Sequence, residues 1–153
     1  MQVISSNTAD IWAPPAPPQQ VLIFKVGEQT FGIPVDLVRE IKCWQKATAL
    51  PDAPPYMLGV INLRGQVIPI YDLAARLGRN SGEKAAASVV IVVEDDSRQF
   101  GILADSVSDI LDLSPESIRR TPVGEDADGL IEALVVRDDD VVPLLRISAI
   151  ATE

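Results

Sequence analysis

Few side chains in this sequence are suited to catalysis. Its 153 residues include no histidine and one cysteine, Cys43, so the commonest general base and the commonest ligand of transition metals are both missing. Cys43 lacks a histidine partner and falls on a predicted strand, which favours an inert core thiol over a nucleophile. The glycines stand singly and form no phosphate-binding loop motif. We therefore expect a protein without catalytic activity and without a cofactor.

Clustered carboxylates are the remaining candidates for chemistry, because they can bind Mg²⁺ or Ca²⁺. Three acidic clusters occur, at Glu94–Asp96, Glu125–Asp128 and Asp138–Asp140. Two of them fall at predicted hairpin turns, the third lies in a polar loop, and none has the spacing of an EF-hand. We expect solvated turns here and no metal site.

One cation is placed for recognition rather than for catalysis. In the stretch GVINLRGQVIPIYDLAARLG (Gly59–Gly78), an apolar run stops at Arg64 and Gly65 and resumes directly afterwards. Glu40, in the segment VREI, could hold the guanidinium group in a planar pair beside the apolar Val38. A solvated turn residue is the plain alternative for Arg64. We interpret Arg64, oriented by Glu40, as part of a binding site.

The chain repeats itself, and the repeat supports this interpretation. A shift of 69 residues lays VLIFKVGEQTFGIPVDLVREI (21–41) over VIVVEDDSRQFGILADSVSDI (90–110), with six identities in the last thirteen positions. A shift of 74 residues lays VIPIYDL (67–73) over VVPLLRI (141–147). The turn that is equivalent to the one at Arg64 is acidic, so the duplicated fold accepts the opposite charge there.

Each half predicts the same series of β elements. An apolar run, a turn and a Phe-Gly-Ile return indicate a β-hairpin, a third strand follows, and a second hairpin comes last. Pro69 and Pro143, at equivalent positions, belong on strand edges or at bulges, as in small bent barrels. A short helix follows each second hairpin: Asp72 is a suitable N-cap for Leu73–Leu77, and Arg146–Ala151 is the counterpart. The predicted turns are Gly27–Glu28, Arg64–Gly65, Asp95–Ser97 and Asp138–Asp140. The predicted third strands are Val38–Cys43 and Val107–Leu111.

The pattern divides the chain into a tail and one duplicated domain. Residues 1–19 carry a proline-rich run without periodicity and predict a flexible or polyproline-like tail. The domain spans 20–151, with the first barrel repeat at about 20–78, a polar linker at 79–85 and the second barrel repeat at about 86–151. Each half has a size at which the buried fraction of the surface is marginal, so we expect the halves to lean on one another.

Composition narrows the partners and the location. The formal charge is −9, from 22 acidic and 13 basic residues, and only seven residues are aromatic, whereas a nucleic-acid surface needs basic residues interleaved with aromatic ones. No uncharged apolar run approaches the roughly 20 residues that cross a bilayer. No basic segment precedes an apolar one, because the first basic residue is Lys25. We expect a soluble cytoplasmic protein that binds no nucleic acid and does not insert into a membrane.

Three motifs in a fixed order carry a family resemblance. The combination of F-G-I-P with V-x-E-I, then G-V-I-N-L-R-G, then V-I-P-I-Y-D-L resembles the CheW family of chemotaxis coupling proteins. The resemblance extends over about residues 20–151. It implies an all-β fold with short helices, in which two intertwined five-stranded β-barrels of the Src-homology-three (SH3) type form an internally duplicated unit. It also implies an adaptor without catalysis.

The resemblance further implies two partners and a site. Members of the family join the cytoplasmic tips of chemoreceptors to the regulatory domain of the histidine kinase CheA. By motif matching, Val38, Glu40, Gly59 and Arg64 fall on receptor-binding positions beside a groove between the barrels. Kinase contact uses barrel ends, largely of the second half, where the segment 121–129 offers no sharp motif. A related adaptor of a twitching, cyclic-nucleotide or developmental pathway is the alternative function.

Overall fold

The computed structural model describes residues 20–77, 88–120 and 129–151. The predicted tail, the predicted linker and the acidic cluster Glu125–Asp128 lie outside the described residues. The described residues form eleven strands: β1 (Gln20–Val26), β2 (Gln29–Pro34), β3 (Val38–Cys43), β4 (Met57–Leu63), β5 (Gln66–Asp72), β6 (Val89–Asp95), β7 (Arg98–Ala104), β8 (Ser106–Asp112), β9 (Ile118–Arg120), β10 (Ile131–Arg137) and β11 (Asp140–Leu145). The helices are short: α1 (Leu73–Arg76), α2 (Ile147–Ile150), and the 3-10 turns Val35–Leu37 and Pro115–Ser117.

The strands form two sheets, and each sheet takes strands from both sequence repeats. One sheet has the order β8-β1-β2-β11-β10-β9, and the other has the order β3-β6-β7-β5-β4. In the first sheet, a hairpin of the first repeat lies between strands of the second repeat, and the second sheet shows the converse. A sequence repeat and a sheet are therefore different units, and the expected intertwined, all-β architecture is confirmed.

The six-stranded sheet differs from its counterpart by the short strand β9. This strand pairs with β10 through Ile118, Arg119 and Arg120. At the equivalent place in the five-stranded sheet, the chain makes a single antiparallel bridge between Thr48 and Val60. Both sheets thus have a pairing at this place, which is a single bridge in one sheet and the three-residue strand β9 in the other.

Four strand pairings join the two halves of the chain, and two of them are parallel joints that each contain a glycine. Leu144 of β11 pairs with Gly32 of β2, and the equivalent Ile70 of β5 pairs with Gly101 of β7. A Cβ atom at Gly101 would lie 2.5 Å from Ile70 Cδ1 and 2.6 Å from Val90 Cγ1. Glycine is required here because another strand approaches closely.

The core follows the intertwining. A central cluster takes buried side chains from both repeats, among them Phe31 and its equivalent Phe100. Each sheet also folds around a smaller cluster of its own, and these clusters contain equivalent residues: Val21, Ile23, Val135, Val142 and Leu144 in one, and Val90, Val92, Ile61, Ile68 and Ile70 in the other. Because the central cluster needs both repeats, neither half encloses the whole core alone.

The prediction that Pro69 and Pro143 lie on edge strands or at bulges is wrong, because β5 and β11 each have a neighbour on both sides and the register shifts lie elsewhere; the prolines nevertheless cost no ladder bond. Val60 uses its backbone N–H and C=O on Thr48, so its pair with Pro69 is one without hydrogen bonds and the Pro69 nitrogen points away from β4. On that side, the pairing of β5 with β7 begins only at Ile70. Pro143 likewise precedes Leu144, at which β11 pairs with β2. The backbone N–H that each proline lacks would therefore have had no partner in the neighbouring strands.

The predicted turns and helix starts are confirmed in the described residues. The Asp72 carboxylate accepts hydrogen bonds from the backbone N–H groups of Ala74 (3.1 Å) and Ala75 (3.4 Å), as an N-cap does. Helix α2 begins after Arg146, whose side chain makes no capping bond. The acidic clusters at 94–96 and 138–140 lie at hairpin turns. None of the helices among the described residues has the length and the hydropathy that a membrane span requires.

The prediction that Cys43 is a core thiol is wrong, because Cys43 is exposed. Strand β3 ends its sheet and pairs only with β6. Its residues alternate between half-buried and exposed positions, and Cys43 shares the exposed face with Arg39 and Ile41. A strand that is covered on one side follows its period of two residues, so a cysteine beside an apolar isoleucine need not be buried.

We expect Gly101→Ala to destabilise the protein by about 1–3 kcal/mol, the usual cost of forcing extra atoms into a packed core. Urea unfolding measures this cost. Because the new methyl group would meet Ile70 Cδ1, the double variant Gly101→Ala, Ile70→Val should lose less stability than the sum of the two single changes. Strictly additive losses would contradict the proposed crowding at this joint.

Candidate functional site

Arg64 occupies a turn position that disfavours it. Arg64 and Gly65 join β4 to β5, and both have positive φ angles, 54° and 86°, as a type I′ hairpin turn requires. Asparagine, aspartate and glycine tolerate this conformation at the first turn position, whereas longer side chains adopt it at a cost. The equivalent turn has Asp138 there, with a φ angle of 44°. The turn geometry thus explains Asp138, but it does not explain an arginine.

Arg64 is instead held by a partner, as the sequence predicted. Its Nη1 donates to Glu40 Oε2 at 2.6 Å and its Nη2 donates to Glu40 Oε1 at 2.9 Å, so the two planar groups meet edge to edge. The Arg64 side chain stays 74% exposed while that of Glu40 is 22% exposed. Hydrogen bonding to Arg64 holds the pKa of Glu40 below its usual value, and the same bonds raise the pKa of Arg64.

The Glu40–Arg64 pair joins the two ends of one sheet. Glu40 belongs to β3 and Arg64 follows β4, and these strands are the first and last of the five-stranded sheet. The sheet must therefore curl until its ends approach each other, as in a small barrel. The pair fixes a guanidinium group at this closure, with its remaining donors directed away from Glu40.

Val38 and Glu40 lie on either side of a register shift in β3: Val38 pairs with Val93 of the central cluster, and Glu40 pairs with Val92 of the smaller cluster of this sheet. The Val38 and Glu40 side chains are half-buried, while the intervening Arg39 is exposed and donates from Nε to Glu94 Oε1 at 2.9 Å. The register of β3 against β6 shifts at Arg39, and Val38 packs at the margin of the central cluster. The structure thus brings the Glu40 carboxylate and the exposed Arg64 guanidinium together, whereas Val38 packs towards the central cluster.

Gly59 is buried and is needed by the packing of this chain. Its φ angle is 146°, and a Cβ atom there would lie 2.3 Å from the Thr48 carbonyl oxygen. That oxygen accepts the hydrogen bond from the Val60 N–H at 2.9 Å. Gly59 therefore lets the segment after β3 lie against β4, and so it supports the hairpin that carries Arg64.

Sequence reasoning missed one residue of this edge, Val67. Its side chain is 65% exposed, and it lies opposite the exposed Asn62 in the β4–β5 hairpin. The signal was available: in an alternating strand, an apolar residue opposite a polar one faces water. The hairpin that carries Arg64 therefore also presents an apolar side chain to solvent.

The duplicated position in the other sheet lacks this arrangement. The residues equivalent to the four predicted site residues are Val107, Asp109, Ala133 and Asp138. Asp109 Oδ1 accepts a bond from the N–H of Ile110 at 2.7 Å, and an acidic residue stands where Arg64 stands in the first copy. Among the described residues, no three acidic or cysteine side chains converge as a metal site would need.

Two intertwined sheets that present a charged and apolar edge define a duplicated, two-barrel binding scaffold. The chain belongs to the CheW family: the family model described as the CheW-like domain matches residues 20–153. Members of this family are non-catalytic scaffolds of chemotaxis signalling. The fold agrees with that of the scaffolding protein TtCheW from Thermoanaerobacter tengcongensis, with a TM-score of 0.78 and 27% identity over 86% of each chain. The expected pair of SH3-like subdomains is thereby confirmed.

Curated relatives agree with this assignment. A probable chemotaxis protein CheW of Rhizobium etli is 40% identical over 88% of each chain. The chemotaxis protein CheW of Rhizobium meliloti is 48% identical over 68% of this chain and 67% of its own length. The protein FrzA of Myxococcus xanthus is 30% identical over 72% of this chain and 69% of its own length.

The lowered pKa of Glu40 predicts a dependence of stability on pH. A carboxylate whose pKa is lower in the folded state contributes stability above its unfolded pKa, and this contribution is lost as the pH falls through the folded pKa. Arg64→Gln should therefore raise the pKa of Glu40 and reduce stability at neutral pH but not in acid. NMR titration of the Glu40 carboxyl carbon and urea unfolding at several pH values measure both effects. An unchanged Glu40 pKa in the variant would contradict the pairing.

We expect Gly59→Ala to destabilise the protein by about 2–4 kcal/mol, because it adds backbone strain to a clash with a backbone oxygen. Urea unfolding measures the loss. Leu58→Ala, at the neighbouring half-buried position, is the control for a general effect on β4. A Gly59→Ala variant of normal stability would show that Gly59 is not required by packing.

Proposed function

We propose that this protein is an adaptor that couples chemoreceptors, the methyl-accepting chemotaxis proteins, to the histidine kinase CheA in a signalling array. The observation that carries this proposal is the exposed, paired guanidinium group of Arg64. Arg64 adopts an unfavourable turn conformation and is held by two hydrogen bonds from its guanidinium group to Glu40, although the equivalent turn of the duplicated fold has an aspartate. Membership of the CheW family supports the same role.

The edge has the chemistry of a helix-binding groove. Val38 and Val67 offer apolar contact, and the exposed face of the Arg64 guanidinium can bond to a carbonyl or carboxylate group of the partner. In helix-in-groove recognition, apolar contact supplies affinity and charged groups at the rim set the register. We assign Val38, Glu40 and Arg64 to contact with the receptor tip, and Gly59 to supporting the hairpin that carries Arg64.

We also propose that the protein binds the kinase through a second surface, catalyses no reaction and works in the cytoplasm. The partner of the second surface is the regulatory domain of CheA, and the barrel ends of the second half are its contact region. No step of bond making is assigned to any side chain. An adaptor that joins receptor tips to a kinase works on the cytoplasmic side of the membrane, at membrane-associated arrays.

A different pathway is the second candidate. One relative in the same range of identity is the protein FrzA of Myxococcus xanthus rather than a protein named for chemotaxis. The same scaffold could therefore serve a non-flagellar array, such as one for twitching, cyclic-nucleotide or developmental signalling. Co-sedimentation with receptors of each candidate pathway, with kinase activity as the readout, separates the two.

We expect Arg64→Glu to weaken co-sedimentation with receptor by roughly tenfold, because it replaces an attractive rim charge by a repulsive one. Binding to the kinase domain should not change. Arg98→Glu is the matched control, since Arg98 also follows a hairpin turn and its side chain is 56% exposed. Receptor binding at the normal level by Arg64→Glu, or equal loss in the control, would contradict the assignment.

Exchanging the two charges distinguishes the structural role of the Glu40–Arg64 ion pair from the role of the exposed positive charge in binding. Glu40→Arg combined with Arg64→Glu keeps an ion pair between β3 and the turn but exposes a carboxylate in place of the guanidinium group. If the pair only stabilises the closure of the sheet, the swapped protein binds receptor normally. We expect it to fold with normal urea stability and still to bind receptor poorly.

A further inference from the structure

A second surface, on the opposite sheet, has the features of a binding site that the Glu40–Arg64 pair does not explain. A cleft of about 240 Å³ opens between the β1–β2 turn and the β10–β11 hairpin. This volume is below the roughly 300–1,000 Å³ of sites for drug-sized ligands, and it suits one long side chain. The cleft is lined by acidic, basic and apolar groups, chiefly Glu28, Asp140, Arg137, Val141, Val142 and Pro143.

The two carboxylates of the cleft retain free acceptor capacity. Glu28 forms no hydrogen bond or ion pair with the rest of the described chain. Asp140 has a 70% exposed side chain, and its Oδ2 lies 3.9 Å from Arg137 Nε, which is too long for a hydrogen bond. A pair this exposed is weak. A cationic side chain of a partner could therefore pair with Glu28 and Asp140 without breaking a strong ion pair or hydrogen bond of this chain.

The same hairpin exposes apolar surface beside these charges. Val141 is 56% exposed and Val136, its cross-strand neighbour, is 38% exposed. The side chains of arginine and lysine combine an aliphatic stem with a charged head. The stem would lie on Val141 and the head would reach Glu28 and Asp140.

The equivalent cleft of the five-stranded sheet, between the β6–β7 turn and the β4–β5 hairpin, shows that the fold does not need these acids. At the positions equivalent to Glu28, Gln29 and Asp140, it has Ser97, Arg98 and Gln66. The strands that surround them pair in the same register. The acidic character of the cleft is therefore an addition to one sheet, as Arg64 is an addition to the other.

We propose that this cleft binds an arginine or lysine side chain of a protein partner, with an aliphatic residue of the same partner on Val136 and Val141. The occupant is cationic because every carboxylate of the turn, including Asp138 and Asp139, adds to the same potential, and Arg137 is its one counter-charge among the cleft-lining residues described. This surface is separate from the edge at Arg64, so it does not depend on the receptor assignment.

The test uses the full chain and a minimal probe, the peptide acetyl-Leu-Arg-Leu-amide, with its citrulline analogue as the uncharged match. We expect the arginine peptide to shift the methyl NMR signals of Val141 and Val142 in a saturable way, and 0.5 M salt to weaken binding. The citrulline peptide should not shift them. Equal shifts with both peptides, or shifts centred elsewhere, would overturn the proposal.

Matched variants locate the charge. Glu28→Gln and Asp140→Asn should each weaken binding of the arginine peptide by roughly two- to fivefold, the range for an exposed charge pair. Asp139→Asn removes the same charge from the same turn but lies outside the cleft lining, and it should have a smaller effect. If Asp139→Asn weakens binding as much as Asp140→Asn does, the attraction is a general property of the acidic turn and the cleft is not a site.

Discussion

The architecture depends on the close approach of two strand pairs from different halves of the chain. At the joints of Gly32 with Leu144 and of Gly101 with Ile70, a strand of one repeat runs parallel to a strand of the other. Parallel neighbours need a long connection, and here the rest of each repeat supplies it. At Gly101 the absence of a side chain leaves room for Ile70 of the other half, whereas at Gly32 it leaves room for Val21 of the same half. The hairpins β4–β5 and β10–β11, which carry Arg64 and the acidic cleft, are attached to the other half through these two joints.

Duplication explains why the two surfaces differ so much on so similar a frame. Some positions that the fold requires keep their residue type in both copies, as Gly32 and Gly101 do, whereas Gly59 answers a packing demand of one copy only, since its equivalent is Ala133. A position that the fold merely tolerates can change its charge, as Arg64 and Asp138 do at the tips of equivalent hairpins. Asp72 and Arg146 differ in the same way before the two short helices. A difference between the copies therefore marks a candidate binding residue only where local packing and capping do not account for it, as at Arg64.

The sequence predicted local structure well because turns and caps are decided by near neighbours. The hairpin turns, the N-cap at Asp72 and the Glu40–Arg64 pair all follow from residues whose chemistry is specific. The residues alone did not predict how the halves intertwine, since β2 and β7 carry the same Phe-Gly-Ile pattern and either could pair with either partner; only the family resemblance implied it. Cys43 was misplaced because burial on an end strand depends on what covers each face.

The placement of charge suits a protein that holds two partners at once. The edge at Arg64 lies where the five-stranded sheet closes, and the acidic cleft lies on a hairpin of the six-stranded sheet. Opposite charges on the two surfaces make each one repel a ligand that suits the other, which is how specificity is built against the wrong partner. Arg64 differs from the exposed Arg98 in its two short hydrogen bonds to one carboxylate, which fix the direction in which its guanidinium group faces a partner.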